Sequence, residues 1–471
     1  MKKLKLFFLG SVILSFFNCS EEVMEPQETE NLYPPEKLYP YETFYDEETF
    51  KLRRDNLIQQ IPDNSFVVIA TNETYLRNGD VDYEFRPASN FFYLTGFDES
   101  NAVAVVKKKT QDPNTAELVL FVETRDERTT QWSGPVYGLE GAMEYFAADS
   151  AFPFEEFGSY IRTTVNTGKY NSIYANLETN QSVDDSLNQA VGDFFSIFDV
   201  NPIVDSLRAI KSAIEISSIQ KAVDVSVQAF SEAMRLIKPG MYEYEVEAIF
   251  DYILGLNGCQ RSAYPSIVAS GPNINILHYQ ANNRQMSSDD LIMIDFGAEY
   301  GYYASDITRT LPVDGKFSIE QATVYNIVLE AHQTVINQAA PGVSYYYLYT
   351  MARDIVINRL LENGIISGKK SEIISSNQFR QYIPAGLGHC VGLDVHDPFP
   401  REENGDRILK ENMVLAIEPH IYLYEGDQTV HSDYWNVSVR IEDDILITAN
   451  GCVNMSSDLQ VKIVDIENIM R

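Results

Sequence analysis

Cysteine is scarce in this 471-residue chain, which has four: Cys19, Cys259, Cys390 and Cys452. The last three lie far apart and form no disulfide framework, so they are expected as single buried thiols. Basic charge is also short. The 36 Lys and Arg stand against 68 Asp and Glu, for a net charge of −32 at pH 7. Such a surface repels nucleic acid, and no basic patch or RNA-binding signature offsets it, so nucleic acid is excluded as a partner. The apolar run at the N-terminus, Leu6 to Phe17, is too short to span a membrane.

That run has a different meaning. Three lysines precede it within Met1–Lys5, and it ends at Asn18-Cys19, which is the pattern of a signal peptide. Cys19 at this place resembles the lipidated cysteine of bacterial lipoproteins, although Phe16-Phe17-Asn18 is a loose form of the usual small-residue box. A plain secretory signal is the alternative. The resemblance implies export and lipid anchoring to the cell envelope. Ser20-Glu21-Glu22 further resembles the acidic tag of outer-membrane lipoproteins displayed on the surface.

Residues 1–19 therefore read as signal. Residues 20–49, acidic and punctuated by Pro26, Pro34, Pro35 and Pro40, read as a tether. The chain as a whole is 45% apolar, and what comes after the tether is too long for one core, so two or more domains follow. From 50 to 204, runs such as "SFVVIAT", "NAVAVVKK" and "ELVLFVET" alternate with helical stretches, which predicts an α/β domain. From 205 to 471 one grammar occurs twice. A helix through Ile216–Ile237 stops at Pro239-Gly240, and the next stops at Asn257-Gly258. A helix from Glu320 to Ala340 stops at Pro341-Gly342, and the next at Asn363-Gly364. Two helix–helix–strand halves of this kind would face each other across a cleft.

The strand-like segments after each Asn-Gly carry unusual acids. In "LIMIDFGAEYGYYASDITRT" a turn centred on Tyr300-Gly301 would set Asp295 directly opposite Asp306. Like charges so placed repel. Either that register is wrong or something cationic lies between them. Glu418 sits in "MVLAIEPHIYLY" and Glu442 in "VSVRIEDDILIT", with Arg440 and Glu442 on one face and Val439 and Ile441 on the other. His389 and His396 stand in the glycine-rich "PAGLGHCVGLDVHDP". Acids embedded in core-like strands are rare unless paired or metal-bound. For the segment Glu442-Asp443-Asp444 alone, a solvated turn also fits. His332, on a helix, reads as a surface or core residue, and His431 as solvated. Four carboxylates and one imidazole make a hard donor set that suits Mn²⁺ or a similar ion. Their charge suggests two ions sharing bridging carboxylates.

At these residues the chain resembles the pita-bread metallopeptidases, aminopeptidase P above all. "YPSIVASGPNINILHY", "IDFGAEYGYYASDITRTLPVDGKFS", "GLGHCVGLDVHD" and "VRIEDDILIT" carry the likeness, with "FRPASNFFYLTGFDES" and "RDERTTQWSGPVYGLEGA" nearer the N-terminus. The resemblance implies an α/β (α+β) protein, with an N-terminal α/β domain and then a pseudo-two-fold pita-bread catalytic domain. It implies a dimetal hydrolase that releases the residue before proline, with an Xaa-Pro dipeptidase or a non-catalytic peptide-binding protein as rivals. It makes Asp295, Asp306, His389, Glu418 and Glu442 the ligands of two divalent ions, with Mn²⁺ favoured. His278, His396, Glu418 and Arg440 become catalytic, with Tyr264, His278 and His396 against the substrate. Peptides with proline second are the implied partners, and self-association is allowed for. Two positions depart from the family's "HGLGH" and "EPGIY", which here read Ala385 and His420.

Overall fold

The computed structural model describes residues 47–471, apart from 111, 127–129, 133 and 193–194. Cys19, the signal and all but the end of the tether lie outside the described residues. No helix of the described residues is long and apolar enough to cross a membrane.

The strand-like runs near the N-terminus are strands of a six-stranded mixed sheet. Ser65–Ala70 lies between Val103–Lys108, antiparallel, and Ser172–Ala175, parallel. Strand side chains alternate between faces, and both faces here are buried. Phe66, Val68, Val103 and Val105 pack with Phe157, Ile161, Val183 and Leu187 of two covering helices. Val67, Ile69, Ala104 and Val106 join a second core, which continues into the C-terminal half through Ile219, Phe230 and Phe250. Continuous apolar runs such as "SFVVIA" arise from that two-sided burial.

The repeated grammar is realised in matching caps. Helix Ala213–Leu236 opens with a capping box of Ser212 and Glu215, and helix Ile319–Gln338 opens with one of Ser318 and Gln321. Such a cap is worth about 1 kcal/mol. The partner helices, Glu243–Leu256 and Tyr345–Glu362, end at Asn257 and Asn363, each followed by a glycine at positive φ. Strands then follow in both halves. Ile267–Ser270, Leu291–Phe296 and Ile307–Pro312 form one sheet, and Gly388–Cys390, Val414–Ile417, Asp443–Thr448 and Gly451–Asn454 form the other.

The expected hairpin register is corrected by two residues. Tyr300 pairs with Tyr303, and Asp295 lies opposite Thr308 rather than Asp306. The loop is Gly301-Tyr302 with φ of +56° and +69°, which is the backbone of a type I′ turn. A tyrosine in the left-handed region is unusual. Here its ring is 4.4 Å from that of Phe92, and its carbonyl accepts from Arg86 Nη2 at 3.3 Å. A shift of two preserves the face, so both aspartates still point the same way.

Candidate metal centre

The two sheets bring the acids together from separate strands. One ligand atom from each of Asp306, His389 and Glu442 lies within 4.8 Å of the others. Asp295 joins them through Tyr264, whose hydroxyl oxygen is 2.6 Å from Asp295 Oδ1 and 2.5 Å from Asp306 Oδ1. Glu418 follows Val414–Ile417, and its N–H donates to the Leu387 carbonyl at 2.8 Å, which ties it to the segment bearing His389. Thr308, the true cross-strand partner of Asp295, donates to Glu442 Oε2 at 2.7 Å and accepts from Arg440 Nε at 3.1 Å. Arg440 also pairs with Asp295 Oδ2 and donates to the Tyr422 hydroxyl at 3.2 Å.

This set calls for further positive charge. Asp295, Asp306 and Glu442 are 8%, 5% and 2% exposed. Burial, only partly offset by Arg440 and with Asp306 adding to it, pushes Asp295 up to about 7. Burial and the neighbouring carboxylates Asp306, Glu418 and Asp295 raise Glu442 well above the usual range, and burial likewise raises Glu418. The imidazole is oriented for ligation. His389 Nδ1 lies 3.0 Å from the Cys390 carbonyl, so Nδ1 carries the hydrogen and Nε2 faces Asp306 at 3.4 Å. An Nδ1 hydrogen-bonded to a carbonyl, with Nε2 turned toward the acids, is the arrangement typical of a metal-binding histidine. The donors present therefore fit divalent cations.

Tyr264, His278, Asp295, Asp306 and His396 line one cleft of about 150 Å³ with Pro265, Ile267, Gln280 and Val395. The His396 ring stands edge-on to that of His389, with centroids 4.3 Å apart. Burial and then the charge of His389 hold His396 below its usual value.

Residues 217–449 match Metallopeptidase family M24, and residues 50–174 match the N-terminal domain of aminopeptidase P. An Xaa-Pro aminopeptidase of Haemophilus influenzae is 34% identical over 89% of this chain and 96% of that protein. The chain belongs to the M24 metallopeptidases. An Xaa-Pro aminopeptidase of Escherichia coli is also 34% identical, over 89% of this chain and 97% of its own length. Solved structures agree. Escherichia coli aminopeptidase P with the inhibitor Pro-Leu superposes with a TM-score of 0.85 at 33% identity, covering 90% of this chain and 98% of that one. M24 metallopeptidases use a dimetal centre, and a group able to hold metal is present here. A zinc-substituted form of the same Escherichia coli enzyme, in complex with product, has a TM-score of 0.86.

Several residues of the site escaped the sequence reading. Asp444 is fully buried and accepts from the Asp306 N–H at 2.9 Å. Its signal was available, two positions past Glu442 in an alternating stretch. Asp443 turns the other way, to Arg309, so the solvated turn allowed for these three acids is corrected: all three are buried. His332 is a core residue with Nε2 3.2 Å from Asp443, and His431 is exposed. Among the described residues the Cys390 thiol is buried, while Cys259 and Cys452 are half-buried. The two departures meet in space. Ala385 N–H donates to His420 Nε2 at 3.3 Å, and His420 Nδ1 lies 2.9 Å from the Glu418 carbonyl.

Proposed function

We infer that this chain is a dimetal metallo-aminopeptidase that removes the N-terminal residue from peptides with proline in second place. The observation that carries the reading is the buried set of acids and one histidine in a cleft, within a chain related along nearly its whole length to Xaa-Pro aminopeptidases. Asp295, Asp306, His389, Glu418 and Glu442 are assigned to hold two ions. The oxygen-rich set favours Mn²⁺. When bound, such ions make a nucleophile of water near neutral pH and polarise the scissile carbonyl.

The protein groups divide the remaining work. Glu418 takes the proton of the attacking water and delivers it to the prolyl nitrogen as the amide bond breaks. His396 donates to the carbonyl oxygen as negative charge builds there, and His278 and Tyr264 hold the substrate. Arg440 fixes the Asp295 carboxylate and offsets part of the buried negative charge. An Xaa-Pro bond lacks the N–H that proteases of extended backbone use, so a site shaped around the ring selects it.

The test is hydrolysis of Xaa-Pro peptides of two, three and more residues, with and without added Mn²⁺, beside metal analysis. Cleavage of tripeptides and longer is expected, and cleavage of dipeptides alone would make the chain an Xaa-Pro dipeptidase. We assign residues 50–204 to the N-terminal domain and 205–471 to the catalytic one. The pattern around Cys19 supports export and a lipid anchor in the outer membrane. Cys19→Ala should then move the protein from the membrane fraction to the soluble one.

A further inference from the structure

The loop that carries His396 is closed at its base, where the Asp397 N–H donates to the Cys390 carbonyl at 2.9 Å. Among the described residues no hydrogen bond holds the His396 ring itself, so its placement falls to this loop. The anchor is Asp397, 5% exposed. Its Oδ1 accepts from Arg208 Nη2 at 2.5 Å and its Oδ2 from Lys211 Nζ at 2.9 Å. Arg208 Nη2 also reaches Asp394 Oδ2 at 2.7 Å. Burial would push the Asp397 carboxyl up, but Lys211 and Arg208 outweigh it and hold it below the usual range.

The N-terminal domain grips the same loop. Arg86 Nη2 donates to the Leu393 carbonyl and Ser89 Oγ to Asp394 Oδ1, both at 2.5 Å, while Asn90 Oδ1 accepts from Arg208 Nη1 at 2.7 Å. The loop is packed tightly enough that a Cβ on Gly392 would come within 2.5 Å of the Asp397 carboxylate. Arg86, Ser89 and Asn90 belong to the matched stretch 50–174, and Arg208 and Lys211 lie between the two matched stretches. All five side chains thus come from outside the matched catalytic segment. They brace residues on both sides of His396.

We propose that Asp397, held by Arg208 and Lys211, is a positioning residue for His396, and that Arg86 and Ser89 make the N-terminal domain a working part of the catalytic site. A buried carboxylate between two buried cations allows little latitude in where the loop sits. Displacing a catalytic group by about 1 Å costs up to roughly 100-fold in rate. The inference rests on the peptidase reading given above.

The test uses the full chain loaded with Mn²⁺ and an Xaa-Pro tripeptide. Asp397→Asn and Ser89→Ala are made alone and in a His396→Ala background. The readouts are kcat, KM, bound metal and melting temperature of the Mn²⁺ form, and the His396 imidazole resonances of the same proteins loaded with diamagnetic Zn²⁺. Asp397→Asn should lower kcat about 10- to 100-fold and Ser89→Ala about 2- to 5-fold, with KM and metal unchanged. In the His396→Ala background neither should lower kcat further. A further loss there would show action independent of His396 and overturn the proposal, as would an unchanged kcat in folded Asp397→Asn. Should Asp397→Asn fail to fold, Ser89→Ala decides, and a wild-type kcat in it overturns the proposal. The resonances separate the two readings. If wild type cleaves no Xaa-Pro peptide the peptidase reading fails, while unmoved His396 resonances in both variants still overturn the positioning role.

Discussion

Glu442, Asp443 and Asp444 are consecutive and buried, yet they face opposite surroundings. Asp443 turns to Arg309 Nη2 at 2.6 Å, to Ser456 Oγ at 2.6 Å and to Asn454 Nδ2 at 3.0 Å. Burial would raise its pKa, but Arg309 and His332 outweigh burial and hold it far below the usual range. Glu442 and Asp444 turn to the other side, where burial, and then Asp306 and its neighbours, raise both well above it. A buried acid with a matched cation belongs to the fold. Buried acids that outnumber their cations mark the site.

The sharpest way to break this contrast is to remove an acid from the crowded side. Asp306→Ala should lose bound metal and more than about 100-fold of activity, beyond what loss of an outer partner costs. In chelated protein the near-isosteric Asp306→Asn should melt higher than wild type, because it relieves repulsion. A lower melting temperature there would remove the premise of crowding. On the matched side the sign reverses. Asp443→Asn leaves Arg309, which is 0% exposed, without its charge partner. The expected cost is about 3–5 kcal/mol of stability by denaturant titration, with metal per folded molecule retained.

pH sharpens the contrast further. Asp295 has a folded value raised to about 7, so the native state holds more protons than the unfolded chain above about pH 4. Stability of chelated protein should therefore fall as pH rises from about 4 to 7, and Mn²⁺ should flatten that slope. Asp443, with a depressed folded value, has the opposite sign: its contribution is present above about pH 4 and is lost on acidification. The smallest effect is expected at His420, which bonds both Ala385 and the Glu418 carbonyl. His420→Gly should cost about 1–2 kcal/mol and change kcat by less than about threefold, read by melting and tripeptide kinetics.

The halves of the fold were legible because helix ends and apolar periods are local signals. Pro239-Gly240 and Pro341-Gly342 mark the exits where the chain leaves its helices. The hairpin face was legible too, since a face depends only on parity. Its register was not, because Tyr302 takes a left-handed conformation that tertiary contacts with Phe92 and Arg86 support. The fate of Glu442-Asp443-Asp444 was equally hidden, since their partners Asp306, Arg309 and Ser456 come from elsewhere in the chain. The grip on Asp397 from Arg208 and Lys211, nearly two hundred positions away, leaves no local trace at all.

Tyr264 touches a carboxylate on each side with a single hydroxyl. One hydrogen serves one acceptor, so a second proton is needed here when no cation is present, and Asp295, which burial pushes up to about 7, holds it. Cations entering this site must displace that proton. Loading should therefore acidify an unbuffered solution, and its calorimetric heat should change with the ionisation enthalpy of the buffer. Apparent affinity should climb about tenfold per pH unit for each proton released. A Tyr264→Phe protein, with the phenolic link removed, should release a different number of protons at the same pH.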